Sequence, residues 1–251
     1  MSDVAWIESN TYVNDLCRFV NVWKSGQTCL PKVIRWEKYL QLGSIRQQDC
    51  LAHSYSITFA GSFLRFKLAP FICRFNWQLF MDCLLVHDHG EGELGSDVLY
   101  HFKTQDHDLQ EYLAFKKRFQ QLGKEAYAYY ERAFLLQFCL KNPENFPKDA
   151  REIMAGLAEK YSMEALLFEA VERWDCVLFA WEQYQDSNNK FLLAGVLHSQ
   201  FARLCELCGL IPGFGQEILP PDVRKEWQRF LEDNQNLVEE FKTFLGLTDQ
   251  K

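Results

Sequence analysis

Apolar side chains recur along this chain at intervals of three and four residues, which is the spacing of a helix face rather than of a strand. In the segment that begins at Trp77, the apolar positions are Trp77, Phe80, Met81, Leu84 and Leu85. The next position of this series is Asp88. Nearly every long segment shows the same period, so the pattern predicts an all-α fold.

Two further segments predict helices that carry polar residues. One ends before Pro70 and has His53 close beside an apolar stripe. The stripe has four-residue spacing and consists of Leu51, Tyr55, Phe59 and Phe63. The other begins near Met163, runs for about twenty residues and carries Asp175 on its apolar face. That face consists of Phe168, Val171, Leu178 and Phe179.

Aromatic and proline positions mark an insertion. Residues 108–140 are helical in period and rich in aromatic side chains, and Pro143 and Pro147 then interrupt the pattern. We predict an inserted helical hairpin there. After the break IPGFGQEILPP, residues 222–245 predict one final amphipathic helix that packs back on the body. Its apolar side consists of Trp227, Phe230, Leu231, Leu237, Val238 and Phe241.

Size and composition predict a single globular domain over residues 1–251. Hydrophobic residues make up 48% of the chain, far more than in disordered proteins. The chain has 27 basic and 34 acidic side chains, giving a net charge of −7. Such a surface repels a phosphate backbone, so we expect no binding to nucleic acid polymers.

The cysteines and the first residues predict a cytoplasmic location. Nine scattered cysteines do not form the dense framework of a secreted domain, so we interpret them as reduced thiols. The start MSDVAWIESN lacks the basic residues and apolar run of a signal peptide. No stretch approaches the roughly 18 apolar residues that span a bilayer, so we expect no membrane segment.

Two aspartates on apolar helix faces need an explanation, because a buried carboxylate is costly unless it is paired or binds a metal. The polar residues at such positions are His53, the adjacent His87 and Asp88, and Asp175. Two imidazole nitrogens and two carboxylates suit Mn, Co, Ni, Fe or Zn and do not select among them. The alternative is that each is a core residue with a local partner such as Arg46 or Arg173.

The order of these residues resembles that of the HD-domain metal-dependent phosphohydrolases. Their flanking sequences are similar to the branch that contains the bacterial 5′-deoxynucleotidases. HDHGEGELGSDV resembles the branch's HD-x-x-E…G-D element, and Arg35-Trp36 followed by IRQQDCLAHS resembles its Arg-Trp pair and later arginine. VERWDCVLFAWEQYQDSNNKFLLA resembles the helix with the last metal aspartate. The similarity covers about residues 33–104 and 160–200, which we take as the core.

The resemblance implies one divalent ion, Mn, Co, Ni, Fe, Zn or Mg, held by His53, His87, Asp88 and Asp175. It implies removal of phosphate from a nucleoside 5′-monophosphate by attack of a metal-bound water, with Asp88 and Glu91 as catalytic residues. The implied partners are a small phosphate ester and a second copy of the chain in a homodimer.

Five residues correspond to substrate contacts in the resemblance: Arg35, Trp36, Arg46, Asp97 and Lys103. Arg35 would bind the phosphate, since a guanidinium matches phosphate oxygens in a bidentate way. Trp36 would lie against the sugar, or is a core tryptophan on a helix over residues 33–41. Ser96 displaces Asp97 from the family's Gly-Asp register, and the family's prolines are absent around Lys103. These departures leave the substrate open.

Other interpretations remain at this point. Residues 105–150 have no recognised counterpart and would serve as a lid, a dimer surface or a specificity wall, and residues 208–251 form a C-terminal extension. Some HD proteins, including di-iron oxygenases, hold a second metal with additional histidines, for which His89, His101 and His107 are available. A non-catalytic module that binds a nucleotide or a protein is the other alternative.

Overall fold

The computed structural model describes residues 11–36, 39, 45–98, 100–141 and 143–247 and confirms the all-α fold. Its helices are α1 Thr11–Cys29, α2 Cys50–Leu68, α3 Trp77–Val86, α4 His89–Leu94, α5 Gln105–Phe119, α6 Lys124–Leu135, α7 Lys148–Ser187, α8 Lys190–Leu210, α9 Phe214–Glu217, α10 Pro221–Asp233 and α11 Gln235–Leu245. Single 3₁₀ turns cover Leu30–Lys32, Tyr100–Phe102, Gln120–Leu122 and Leu136–Phe138. The strands β1 Ile34–Arg35 and β2 Gln48–Asp49 pair antiparallel, with Ile34 opposite Asp49.

The chain divides into two compact units. The first comprises the described residues within 11–36, 47–55 and 78–165, and the second comprises the described residues within 39–46, 56–77 and 166–247. No helix in the described ranges is long and apolar enough to cross a membrane. The nine cysteines are free thiols, as predicted from their spacing.

The predicted hairpin of the insertion is present in the first unit as α5 and α6. Thr104 caps α5 by accepting a hydrogen bond from the His107 amide, and Gly123, with φ of +87°, occupies the turn before α6. Phe115 stacks on Phe134 with ring centroids 4.1 Å apart. Aromatic side chains of α5 and α6 therefore pack directly on each other.

The buried face of α3 is rotated by one position from the predicted one. Phe80, Cys83, Leu84 and His87 are buried, whereas Leu85 is half exposed. The predicted face omits Cys83, because the series of apolar positions counted from Trp77 passes over it. His87 lies on the same buried side as Cys83, directly after the helix.

The aromatic stripe of α2 lies on the solvent side, contrary to the prediction that it adjoins His53. Tyr55 is 73% exposed and Phe59 is 68% exposed, while His53 and Ile57 are fully buried. Residues two apart on a helix are about 200° apart around its axis, so His53 points away from Tyr55. The helical period of this segment is confirmed, but the more hydrophobic face of the helix is exposed and the opposite face is buried.

The second unit contains α8, α10 and α11. The predicted final helix is two helices, because Asn234 has non-helical backbone angles between α10 and α11. Phe241 of α11 is buried and lies against Gly195 of α8, where a Cβ atom would collide with its ring. The prediction that this segment packs back on the body is confirmed.

The long helix α7 supports the predicted helix start near Met163. Tyr161, two residues before Met163, has non-helical backbone angles and divides α7 at this point. Asp175, Phe168, Val171 and Phe179 are buried as predicted, although Leu178 is 38% exposed.

Candidate metal centre

The His87-Asp88 pair lies at the junction between α3 and α4. The His87 amide donates to the Cys83 carbonyl at 3.0 Å, which continues the helical pattern past the end of α3. Asp88 then forms the N-cap position of α4. His53 faces this junction from the first turn of α2. All three residues belong to the first unit and are at most 4% exposed.

Their side-chain atoms converge. His87 Nε2 lies 3.3 Å from His53 Nε2 and 3.0 Å from Asp88 Oδ1. His53 Nε2 lies 3.9 Å from Asp88 Oδ2. The three predicted metal ligands of the first unit, His53, His87 and Asp88, are thus close together.

The tautomer of His87 shows what this arrangement requires. His87 Nδ1 lies 2.8 Å from the Leu84 carbonyl, which only accepts, so Nδ1 carries the proton. In the neutral ring Nε2 then has a lone pair that faces the Asp88 carboxylate. The lone pairs of Nε2 and Asp88 Oδ1, 3.0 Å apart, repel unless a proton or a metal ion lies between these two atoms.

The electrostatics of Asp88 also suit a cation. Burial raises the pKa of Asp88, but the adjacent His87 and His53 and the nearby Arg35 hold it well below its ordinary value. Among the described residues, none donates a hydrogen bond to the buried Oδ2 atom. A charged carboxylate oxygen without a donor, facing two imidazoles, fits a divalent metal ion.

Glu91 lies one turn along α4 and is buried beside this group. Lys103 Nζ donates to Glu91 Oε1 at 2.9 Å, and the Cys50 thiol donates to Oε2 at 3.8 Å. Burial raises the pKa of Cys50, and the neighbouring Asp88 and Glu91 raise it further, so the thiol stays protonated. Cys50 could not be recognised from the sequence, because a single cysteine on an apolar helix face usually only packs.

Lys103 has a second carboxylate partner that the sequence did not indicate. Its Nζ lies 2.9 Å from Oε1 of Glu111, a buried residue of the insertion helix α5. Burial lowers the pKa of Lys103, but Glu91 and Glu111 outweigh this and raise it well above its ordinary value. Burial raises the pKa of Glu111 to about 8, against the opposing effect of Lys103. Two carboxylates therefore share one ammonium group.

Asp97 is half-buried in the same unit. Burial and the neighbouring Glu91 together raise the pKa of Asp97 to about 6, against the opposing effect of Arg35. Four acidic side chains, of Asp88, Glu91, Asp97 and Glu111, thus lie near only two cationic side chains, of Arg35 and Lys103. A divalent ion at Asp88 would offset part of this acidic excess.

Arg35, on strand β1, extends its side chain towards Asp88. Its NH1 lies 3.7 Å from Asp88 Oδ2, and its side chain is 14% exposed. The adjacent Trp36 is buried, with φ of +64°, and its indole donates to Gln48 Oε1 at 3.0 Å. The predicted helix over residues 33–41 is wrong at its start, because Ile34 and Arg35 form a strand. Residues 37–38 and 40–41 lie outside the described part of the chain.

Two predicted site residues belong to the second unit. Arg46 is exposed, its guanidinium contacts Glu182 at 2.6 Å, and its amide donates to Gln183. Asp175 is buried in α7 and accepts a hydrogen bond from Ser56 Oγ at 2.8 Å. Ser56 belongs to α2, three residues after His53.

The histidines considered for a second metal have other surroundings. The ring of His89 meets that of Phe119 edge-on at 5.1 Å, and burial lowers its pKa to about 4. His107 takes part in the cap of α5. Within the described ranges, the groups of side chains close enough to share an ion contain none of His89, His101 and His107.

Comparison with known families agrees with this geometry. The family model described as HD domain matches residues 30–203, which is more than half of the chain. The chain belongs to the HD-domain family. No curated protein and no solved structure matches it.

Membership explains the order of the site residues. The HD domain is a fold of metal-dependent phosphohydrolases and binds divalent metal ions. The matched range contains His53, His87, Asp88 and Asp175, and it also spans the insertion with Glu111.

Proposed function

We propose that this HD-domain protein is a phosphomonoesterase that releases phosphate from a nucleoside 5′-monophosphate. The supporting observation is the convergence of His53, His87 and Asp88, with the buried Glu91 beside them. Buried ionisable groups that meet at one point are typical of functional sites.

A divalent ion would be held by His53, His87 and Asp88, with Asp175 as the fourth ligand that the family resemblance assigns. When bound, such an ion lowers the pKa of water and offsets negative charge on a phosphoryl group. His87 is suited to bind the ion through Nε2, since its hydrogen bond to the Leu84 carbonyl keeps the proton on Nδ1.

Glu91 would orient the attacking water and accept its proton. Its carboxylate is one turn from Asp88 and is fixed by Lys103 and Cys50. Arg35 would bind the substrate phosphate, because its guanidinium is close to Asp88 and partly exposed. The nucleoside part of the proposal rests on the similarity of Arg35-Trp36 to the deoxynucleotidase branch.

The test is phosphate release from ribo- and deoxyribonucleoside monophosphates with Mn, Co, Mg or Zn, together with measurement of the bound metal. We expect release from at least one monophosphate and about one ion per chain. Tight binding of a nucleotide without release would favour the non-catalytic module. Iron content with O₂ uptake would favour the oxygenase.

Variants identify the residues responsible. His87→Ala and Asp88→Ala should lose both metal and hydrolysis, because each removes a converging donor atom. Glu91→Gln should retain the metal and lose about 100-fold or more in kcat. His198→Ala is the control, since His198 is an exposed residue of α8 in the second unit. Full hydrolysis by His87→Ala or Asp88→Ala would contradict the proposal.

A further inference from the structure

The insertion contributes a buried acid whose position is unexplained by folding alone. Glu111 lies in α5, is 2% exposed and has Lys103 as its ion-pair partner at 2.9 Å. Its second oxygen, Oε2, accepts no hydrogen bond from the residues that the structure describes. A buried carboxylate with one partner is costly, and an apolar side chain of similar size often stabilises more.

The packing of α5 on α4 fixes where Glu111 lies. A Cβ atom on Gly90 would come within 2.5 Å of the Glu111 carbonyl oxygen, so the two backbones meet without space for a side chain. Farther along the same pair of helices, Arg118 Nε and NH2 each donate to Glu93 at 2.8 Å. Helix α5 is therefore held against the turn that follows His87 and Asp88.

Lys103 connects this helix to Glu91, the proposed proton acceptor. Its Nζ is equally close, at 2.9 Å, to Glu91 and to Glu111. A lysine side chain has many rotamers, and a single carboxylate partner leaves its ammonium group free to swing. Two carboxylate partners from different helices define one position.

We infer that Glu111 is a positioning residue for the proposed reaction: it holds Lys103 against Glu91 and so fixes the Glu91 carboxylate at the HD junction. This inference rests on the proposed function of Glu91. It assigns Lys103 to the orientation of Glu91 rather than to the substrate phosphate, because two carboxylates already occupy its ammonium group. It also gives the insertion a direct part in the site.

The first test compares Glu111→Ala with Glu111→Gln. Loss of the oxygen in Glu111→Ala should lower kcat by about 10- to 100-fold with little change in KM or metal content. Glu111→Gln keeps an oxygen that accepts from Lys103 and should recover most of kcat. Should Glu111→Ala fail to fold, Glu111→Met retains the buried volume and takes its place.

Glu131 provides the matched control. It is an equally buried glutamate of the insertion, on α6, and it accepts hydrogen bonds from Tyr112 and Tyr127. Glu131→Ala should lower stability but leave kcat unchanged. An equal loss of kcat in Glu131→Ala and Glu111→Ala would overturn the inference, because it would show a general structural effect.

Coupling to Lys103 is tested by a double-variant cycle. If Glu111 acts through Lys103, Glu111→Ala should cost no further activity in a Lys103→Met background. Additive losses would overturn the inference.

A last measurement needs no turnover and separates this inference from the proposed function. Acetic anhydride labels neutral amines, and mass spectrometry reports labelling at Lys103. Removing Glu111 removes a cause of the raised Lys103 pKa, so Glu111→Ala should label Lys103 several-fold faster than the wild type does, and Glu131→Ala should not. Unchanged labelling overturns the positioning role, whereas absence of phosphate release with faster labelling overturns the proposed function alone.

Discussion

At the scale of single residues, the buried carboxylates differ in the partners that surround them. Asp88 faces two imidazoles and has an oxygen without a donor, Glu91 has a lysine and a thiol, and Glu111 shares that lysine. The same functional group, a carboxylate, is therefore suited to bind a cation, to accept a proton or to orient a neighbour. The partners of each carboxylate distinguish these roles.

Arg35 allows substrate binding to be separated from metal binding. Arg35→Ala should raise KM by about 10- to 100-fold, since a charge-assisted hydrogen bond to phosphate contributes about 1.5–3 kcal/mol. Metal content should be unchanged, because Arg35 is not a ligand. Steady-state kinetics and metal analysis check this, with Arg35→Lys as an intermediate case. Loss of the metal would show that Arg35 supports the ion instead.

At the scale of elements, the short helix α4 is important because neighbouring segments pack closely against it. Gly90 and Gly92 leave room for the backbone of α5 and for Leu30, respectively. These glycines have ordinary helical angles, so their role is close approach rather than backbone freedom.

Gly90→Ala should destabilise the protein by about 1–3 kcal/mol, because its Cβ would collide with the backbone of Glu111. Gly156→Ala is the control: among the described residues, no atom outside its chain neighbours and its own helix backbone lies within 4 Å of its Cβ position in α7, so it should stabilise by about 0.5–1 kcal/mol. Urea denaturation measures both. A neutral Gly90→Ala would mean that α5 is free to shift.

The pair between Glu93 and Arg118 predicts a pH dependence. Burial raises the pKa of Glu93, but hydrogen bonds from Arg118 and Ser25 outweigh this and bring it below the ordinary 4.5. A lowered folded-state pKa means that the stabilisation is present above pH 4.5 and is lost as pH falls through the folded-state pKa.

Glu93→Gln should therefore cost about 1–2 kcal/mol near neutral pH, and the difference from wild type should vanish in acid. Denaturation at a series of pH values checks this. Glu152→Gln, which alters an exposed pair with Lys148, should have an effect below about 0.5 kcal/mol at every pH. A difference for Glu93→Gln that is constant with pH would contradict the assignment.

At the scale of the whole molecule, metal binding and folding are coupled. An ion that binds the folded chain at a free concentration about 100 times its Kd stabilises it by about 2.7 kcal/mol. For a chain of this size that corresponds to a rise of roughly 5–10 °C in Tm.

Mn²⁺ should raise the Tm of the wild type, and a chelator should reverse the rise. Asp88→Asn should show no rise, since its side chain no longer supplies an anionic donor, whereas His198→Ala should behave like the wild type. Differential scanning fluorimetry checks all three. An equal rise in Asp88→Asn would place the ion elsewhere.

The sequence by itself determined the helical class, the hairpin of the insertion and the residues that carry the HD pattern. These follow from local periodicity and from spacing along the chain, which folding does not alter. Periodicity also located the break near Met163. It misjudged the exposed stripe of α2, because both faces of that helix are apolar and burial depends on what packs against each.

Only the tertiary structure decided which atoms meet. The lone pair of His87 depends on a hydrogen bond to Leu84, and Cys50 and Glu111 come to Glu91 from distant parts of the chain. Glu111 had no signal because an acid on an insertion helix is normally solvated, and its burial is a consequence of the close contact at Gly90. Spacing could indicate the ligands, but three-dimensional packing selected their neighbours.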